Sequence, residues 1–228
     1  MIKLEMVNKK GKHGLKNNSN AIIIDITKGD FKKLNPYCPY GDIPVSFTPN
    51  LFAMSLASMW QALKVYEEEG VNLSILKESH VNKVCRDNNL GELKGYNRGA
   101  YGHVIYDEME ARKQIYVPTY KWILDYKAND LINFIRTLSE KKEVIILDKY
   151  IGSDIFNVNQ PISNAYLIKA YAEGLYPYED AFEIRRECSY YMVGRREYQS
   201  CKDIRVPKQI PKQNNELSRQ LDIEFDIN

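Results

Sequence analysis

Two spacings of apolar side chains alternate along this chain, one of period two and one of about three and a half. Residues 21–27, Ala-Ile-Ile-Ile-Asp-Ile-Thr, form a β-branched run that stops at Lys28-Gly29-Asp30, which predicts a buried strand followed by a turn. Residues 143–148, Glu-Val-Ile-Ile-Leu-Asp, predict a second short strand, and the first is its expected partner. Between them Pro36, Pro39, Pro44 and Pro49 bar a helix and predict an extended loop.

Helical spacing starts after that loop. Thr48 is placed to cap a helix with Pro49 at its first position, and Phe52, Leu56, Met59, Trp60 and Leu63 lie on one stripe that ends at Gly70. A shorter helix is expected over residues 74–86. Residues 88–103, with Gly91, Gly95, Gly99 and Gly102, read as a loop. From Asp107 the helical pattern resumes through Met109, Ile115, Tyr116, Tyr120, Ile123 and Leu124, and Pro118 must kink it or divide it. Asn129 predicts a cap for a helix to about Glu140, with Leu131, Ile132, Ile135 and Leu138 inward. Residues 150–161 read as loop, and Ser163 caps a helix that ends at Gly174. A short helix over 180–187 and a strand over 190–193 complete the expected order.

The resulting expectation is a mainly helical α+β single domain over residues 21–193, with one short two-stranded sheet element. It is flanked by a flexible basic N-terminus, 1–20, and a flexible polar C-terminal tail, 194–228, both too poor in apolar groups to offset the entropy of ordering.

Composition narrows the class. A chain of 228 residues lies in the single-domain range, its apolar runs are too short to span a bilayer, and the basic start is not followed by a signal-type apolar stretch. The expectation is a cytoplasmic protein with no membrane partner. The formal charge of +2 does not call for nucleic acid, which stays a disfavoured partner. Cys38, Cys85, Cys188 and Cys201 form no Cys-x-x-Cys pair, and His13, His80 and His103 fit neither a metal site nor a hydrolytic triad, so no metal and no cofactor is implied. Seventeen Tyr against seven Phe suits a core rim or a wet cleft, and equally the borders of helices and strands, because a buried hydroxyl needs a polar partner.

Three sets of residues carry candidate chemistry. Trp60, Gln61 and Lys64 share one side of the expected helix and can line a cleft beside an aromatic face. Lys94, Arg98 and His103 sit among Gly95, Gly99 and Gly102, where backbone N–H groups can approach an anion such as phosphate. Asp148 and Asp154 bracket the loop after the second strand, near Asn157, Asn159 and Asn164.

Taken in order, the Pro/Gly loop, Trp60-Gln61-Ala62-Leu63-Lys64, Glu110-Ala111-Arg112 and Ser163-Asn164-Ala165-Tyr166-Leu167-Ile168 resemble the NADAR, or YbiA-like, proteins over roughly residues 35–172. That family has a Glu-His-x-x-Gln-Ala-x-Lys type motif, an Asp-containing loop and an Asn-x-Leu-Gly element. The resemblance implies a largely helical N-glycosidase acting on ADP-ribosyl groups or other ribosylated, nucleotide-like substrates. Gln61, Ala62 and Lys64 match the first motif, Asp154 stands for the loop Asp, and Asn164 with Leu167 stands for the last element. The family's catalytic Glu would fall at Ala57, which carries no acid, so Asp154, Glu110 or Asp107 takes its place if the chain is a hydrolase. Trp60, Gln61, Lys64, Arg98, Gly99, His103 and Asn164 are then the substrate-binding set, with Lys64 and Arg98 on phosphate. The other expectation is a non-catalytic interaction protein on an enzyme's fold, its Lys/Asn-rich composition in keeping with a phage origin.

Overall fold

The computed structural model describes residues 1–6, 21–80 and 89–177. The expected polar tail, the helix over 180–187 and the strand over 190–193 lie outside the described residues, as do 7–20 of the N-terminus.

The centre is a parallel sheet of β1 (Ile2–Met6), β2 (Ile22–Asp25) and β8 (Val144–Asp148), ordered β1-β8-β2. Ile2 pairs with Val144 on one side of β8, and Ile22 pairs with the same residue on the other. Every residue of β8 is buried, as its unbroken apolar run requires of a strand covered on both faces. The predicted pairing of the runs at 21–27 and 143–148 is present. The expected flexible N-terminus is corrected at its start: Ile2, only 3% exposed, anchors a third strand. Four apolar positions among six residues were masked by the basic stretch that follows them.

Two further small sheets replace most of the first expected helix and the Gly-rich loop. β3 (Ile43–Pro44) pairs with β4 (Phe52–Ala53), and β5 (Lys64–Tyr66), β6 (Leu93–Asn97) and β7 (Ile105–Tyr106) form an antiparallel sheet in that order. The mainly helical α+β expectation with one two-stranded element is therefore overturned: the described residues have a mixed α/β content, with strands in three small sheets. The helix expected from Thr48 to Gly70 contracts to α1 (Leu56–Ala62). Its cap is Ser55, which exchanges hydrogen bonds with Ser58 in a capping box. Thr48 is buried instead, and its hydroxyl accepts from the Ala100 N–H at 2.7 Å. In place of the helix expected over residues 74–86, the described part holds a 3₁₀ turn, Leu73–Lys77, and residues 81–86 lie outside the described residues.

The later helices follow the apolar spacing. Asp107 caps α2 (Glu108–Ala111), a single π turn over Arg112–Tyr116 follows, and α3 (Val117–Tyr126) begins with Pro118 in its first turn. The helical run is continuous from Glu108 to Tyr126, so Pro118 does not divide it; the π turn comes just before the proline, which takes a first-turn position of α3. α4 (Asn129–Lys141) buries Leu131, Ile132 and Ile135, and α5 (Asn164–Ala172) is capped by Ser163 and followed by Gly174 at φ +75°. Contacts of α4 and α5 with β8 and with each other place the core between these helices and the parallel sheet.

Candidate functional site

The carboxyl end of a parallel strand is where open α/β sheets meet ligands, and β8 ends in a carboxylate. Asp148 is 6% exposed. Its Oδ2 accepts from the backbone N–H groups of Asn164 and Ala165, both at 3.1 Å, and its Oδ1 from that of Lys149 at 2.7 Å. Burial pushes this carboxyl above the ordinary range, although all three N–H groups act to lower it. With Ser163 Oγ accepting from Tyr166 N–H, the first turn of α5 is filled by the chain's own oxygens. No anion is needed there.

Asn164 links that corner to an aromatic cluster. Tyr116, at the last position of the π turn, donates its hydroxyl to Asn164 Oδ1 at 2.8 Å. Burial pushes this phenol far up, and the nearby Asp148 charge adds to the effect. Tyr116 meets the half-buried Trp60 edge-on with centroids 5.2 Å apart, and Trp60 lies against Tyr96 at 4.1 Å. Tyr96 is buried, and burial, then the charges of Glu108 and Tyr66, raise its phenol.

Arg112 holds the same corner from below. Its side chain is 3% exposed, and all five N–H donors are used: two on Glu108 Oε1, and the others on the carbonyls of Ile155 and Asn157, each at 3.0 Å, and of Gln160 at 2.9 Å. The guanidinium thus ties the 155–160 loop to the turn that carries Tyr116. A planar fork suits this task because its donors point in fixed, divergent directions.

The sequence-predicted residues are only partly brought together. Trp60 and Asn164 meet through Tyr116. Gln61 follows Trp60 on α1 and is half-buried. Lys64 leaves the helix, against expectation, and lies opposite Tyr96 in β5, so the two share one face of the sheet. Tyr106 continues that row from β7, its ring contacts Phe47, and Arg98 stacks over Phe47 with 4.6 Å to the ring centroid.

The segment expected as an anion-binding loop is a braced hairpin. Asn97 donates to the carbonyls of Gly99 at 2.9 Å and Gly102 at 3.0 Å. Gly99 has φ +80°, and a Cβ there would lie 2.7 Å from the Phe47 carbonyl oxygen. His103 is exposed, and Lys94 is engaged by Glu67 at 2.7 Å and Glu92 at 3.0 Å.

The three candidate acids have local tasks. Asp107 caps α2 by accepting from the Glu110 N–H at 2.7 Å, Glu110 accepts from Gln114 at 2.9 Å, and exposed Asp154 accepts from the Phe156 N–H at 3.1 Å. None of these contacts reaches Trp60. Tyr96, Glu108, Arg112 and Tyr116 were missed because Tyr96 lies in a stretch that reads as a loop and the other three read as ordinary positions of a helix, with no local signal that sets them apart. Among the described residues no group of three or more His, Cys, Asp or Glu is arranged for a metal, and no helix is long and apolar enough to cross a membrane.

These features define a mixed α/β domain with an aromatic, hydrogen-bonded cluster at the carboxyl end of its central parallel strand. The chain belongs to the family of unknown function DUF6939, whose model matches residues 7–168. No curated protein and no solved structure matches it.

Proposed function

We propose that the chain binds a ribosylated, nucleotide-like small molecule at the Trp60 cluster, the activity implied by its NADAR-like motifs. The observation that carries this reading is the convergence of Trp60 and Asn164 through Tyr116, since these residues lie more than a hundred positions apart and come from two of the motifs behind the resemblance. A half-buried indole offers a stacking surface for a planar base. Lys64, in the same cross-strand row as Tyr96, supplies charge on the sheet side of the cluster for a phosphate.

N-glycosidic cleavage is the finer form of this proposal. It needs a carboxylate to stabilise oxocarbenium-like charge or activate water, and Ala57 offers none. Glu108 is the better placed replacement: its charge reaches Tyr96, and Arg112 orients it. Titration calorimetry with ADP-ribose tests the binding, and base release from ADP-ribosylated guanosine tests the cleavage. Glu108→Gln should keep binding and abolish release. An inert wild type across ribosylated nucleotides and flavin precursors would remove the proposal. The braced hairpin, which presents Tyr101, Val104 and Ile105 at 69%, 52% and 48% exposure, favours the second reading, an interaction protein.

A further inference from the structure

The sheet β5-β6-β7 has two edges, and they differ in kind. β5 is blunted by Lys64 and by a register shift between Val65 and Tyr66, two devices that keep an edge from pairing with another chain. β7 has neither. The stretch His103-Val104-Ile105-Tyr106 holds no Lys, Pro or Gly, and Val104 and Ile105 are both exposed. The direction of its backbone follows from the ladder. Arg98 N–H donates to the Val104 carbonyl at 2.8 Å, so Arg98 with Val104 and Tyr96 with Tyr106 are the bonded pairs, and Ile105, opposite Asn97, is of the alternate kind. The Ile105 N–H and C=O therefore point out of the sheet, to a side where no described strand lies.

The hairpin that carries this edge is fixed in advance. Asn97 holds the carbonyls of Gly99 and Gly102, Thr48 holds the Ala100 N–H, and a Cβ on Gly102 would lie 2.2 Å from the Arg98 carbonyl oxygen. An edge already ordered loses little entropy on pairing. Its side chains are complementary to the same strand run in reverse. With Ile105 opposite Ile105 of the partner subunit on a two-fold axis, the antiparallel register sets Val104 opposite Tyr106 and His103 opposite Asp107, each twice. His103 and Asp107 are both exposed. Asp107 uses Oδ1 on the Glu110 N–H and keeps Oδ2, and a His ring has an N–H to give in either charge state. A slip of two residues in either direction breaks both His103–Asp107 pairs.

We propose that β7 is a self-association edge, at which two copies of this chain pair antiparallel about a two-fold axis at Ile105 and join their three-stranded sheets into one. Tyr101 and Met109, both exposed, flank the paired stretch. The face that carries Lys64, Tyr96 and Tyr106 in each copy becomes continuous across the axis. A contact running only from His103 to Asp107 is far smaller than the about 20–30 residues a side of a standard interface, so the dimer is weak, with a dissociation constant in the micromolar range. None of this depends on the ligand reading, and either can fail alone.

Sedimentation equilibrium of the full chain, from sub-micromolar to near-millimolar concentration, should show a monomer–dimer equilibrium that stops at the dimer. Ile105→Lys sets two ammonium groups face to face at the axis and should raise the dissociation constant by more than about tenfold. His103→Asp sets carboxylate against carboxylate in both flanking pairs and should raise it about tenfold. Adding Asp107→Asn to His103→Asp should recover most of that loss, because the repulsion is gone while the amide oxygen still caps α2. Thermal melts of the variants should match wild type, since all three side chains are exposed. Should Ile105→Lys melt lower, His103→Asp with and without Asp107→Asn decides the matter. A monomer at every concentration overturns the inference and leaves the edge to an extended segment of another protein. Growth past the dimer, a dimer indifferent to Ile105→Lys and His103→Asp, or no recovery on adding Asp107→Asn overturns it as well.

Discussion

Replacing Arg112 by Met removes five donors and leaves a side chain of similar length in their place. The cost follows from where each acceptor sits. The Ile155 carbonyl is buried, so losing a charged donor there costs about 1.5–3 kcal/mol. The carbonyls of Asn157 and Gln160 are only part-buried and can turn to water, at about 0.5–1 kcal/mol each. Glu108 has 36% of its side chain exposed and rehydrates in place. Together the loss is about 2.5–5 kcal/mol, which overlaps the range of about 3–5 kcal/mol for breaking a buried ion pair by deleting one partner. Arg112→Lys should fall short of rescue, at about 2 kcal/mol, because one ammonium cannot reach three carbonyls and a carboxylate. Urea denaturation with an unchanged slope would report the global loss, and amide hydrogen exchange over residues 155–160 the local one. A midpoint shift equivalent to less than about 1 kcal/mol, with exchange in that loop unaltered, would refute the assignment of Arg112 as its anchor.

Trp60→Ala should cost about 2–3 kcal/mol in thermal stability, below the range for a fully buried aromatic because the indole is half-buried, and should abolish ligand binding measured by calorimetry. Gly99→Ala should lower stability by more than about 1 kcal/mol, since the residue sits at φ +80° with no room for a methyl group; a melt identical to wild type would show that the hairpin shifts freely. Asp148 has a raised folded pKa, so its contribution to stability is full below the unfolded carboxylate value of about 3.9 and is lost as pH rises through the folded value. Asp25 runs the other way: burial would raise it, but bonds from Thr27 and Lys28 outweigh that and hold it low, so its contribution is lost as pH falls. Asp148→Asn should therefore flatten the decline of stability above the carboxylate range while leaving the acid limb in place, as read by urea melts across pH 3–8.

The elements legible in the sequence were those whose signals are local. Ser163 and Gly174 bracket α5, an unbroken apolar run makes β8, and Leu131, Ile132 and Ile135 stripe α4. Thr48-Pro49 carried the same local signature as a helix start, yet the Thr48 hydroxyl serves Ala100, a partner fifty-two residues away. Glycines at 91, 95, 99 and 102 read as a loop because a strand with Gly95 at φ +143° makes sense only once Tyr106 packs against it. In the site, Trp60 and Asn164 stood out as residue types, whereas Arg112 and Tyr116 work through carbonyls and an amide forty-three to forty-eight positions away. Pairings at that range leave no periodic trace.

The strand order of the parallel sheet bears on how the chain is born. β1 and β2 both wait for β8, which lies between them, and neither pairs with the other. During synthesis at about 5–20 residues per second, Ile2 is incorporated roughly 7–30 seconds before Val144 exists to receive it. Nascent chains truncated before residue 144 should hence carry two unpaired apolar segments and bind chaperones, and chains extended past residue 177 should release them.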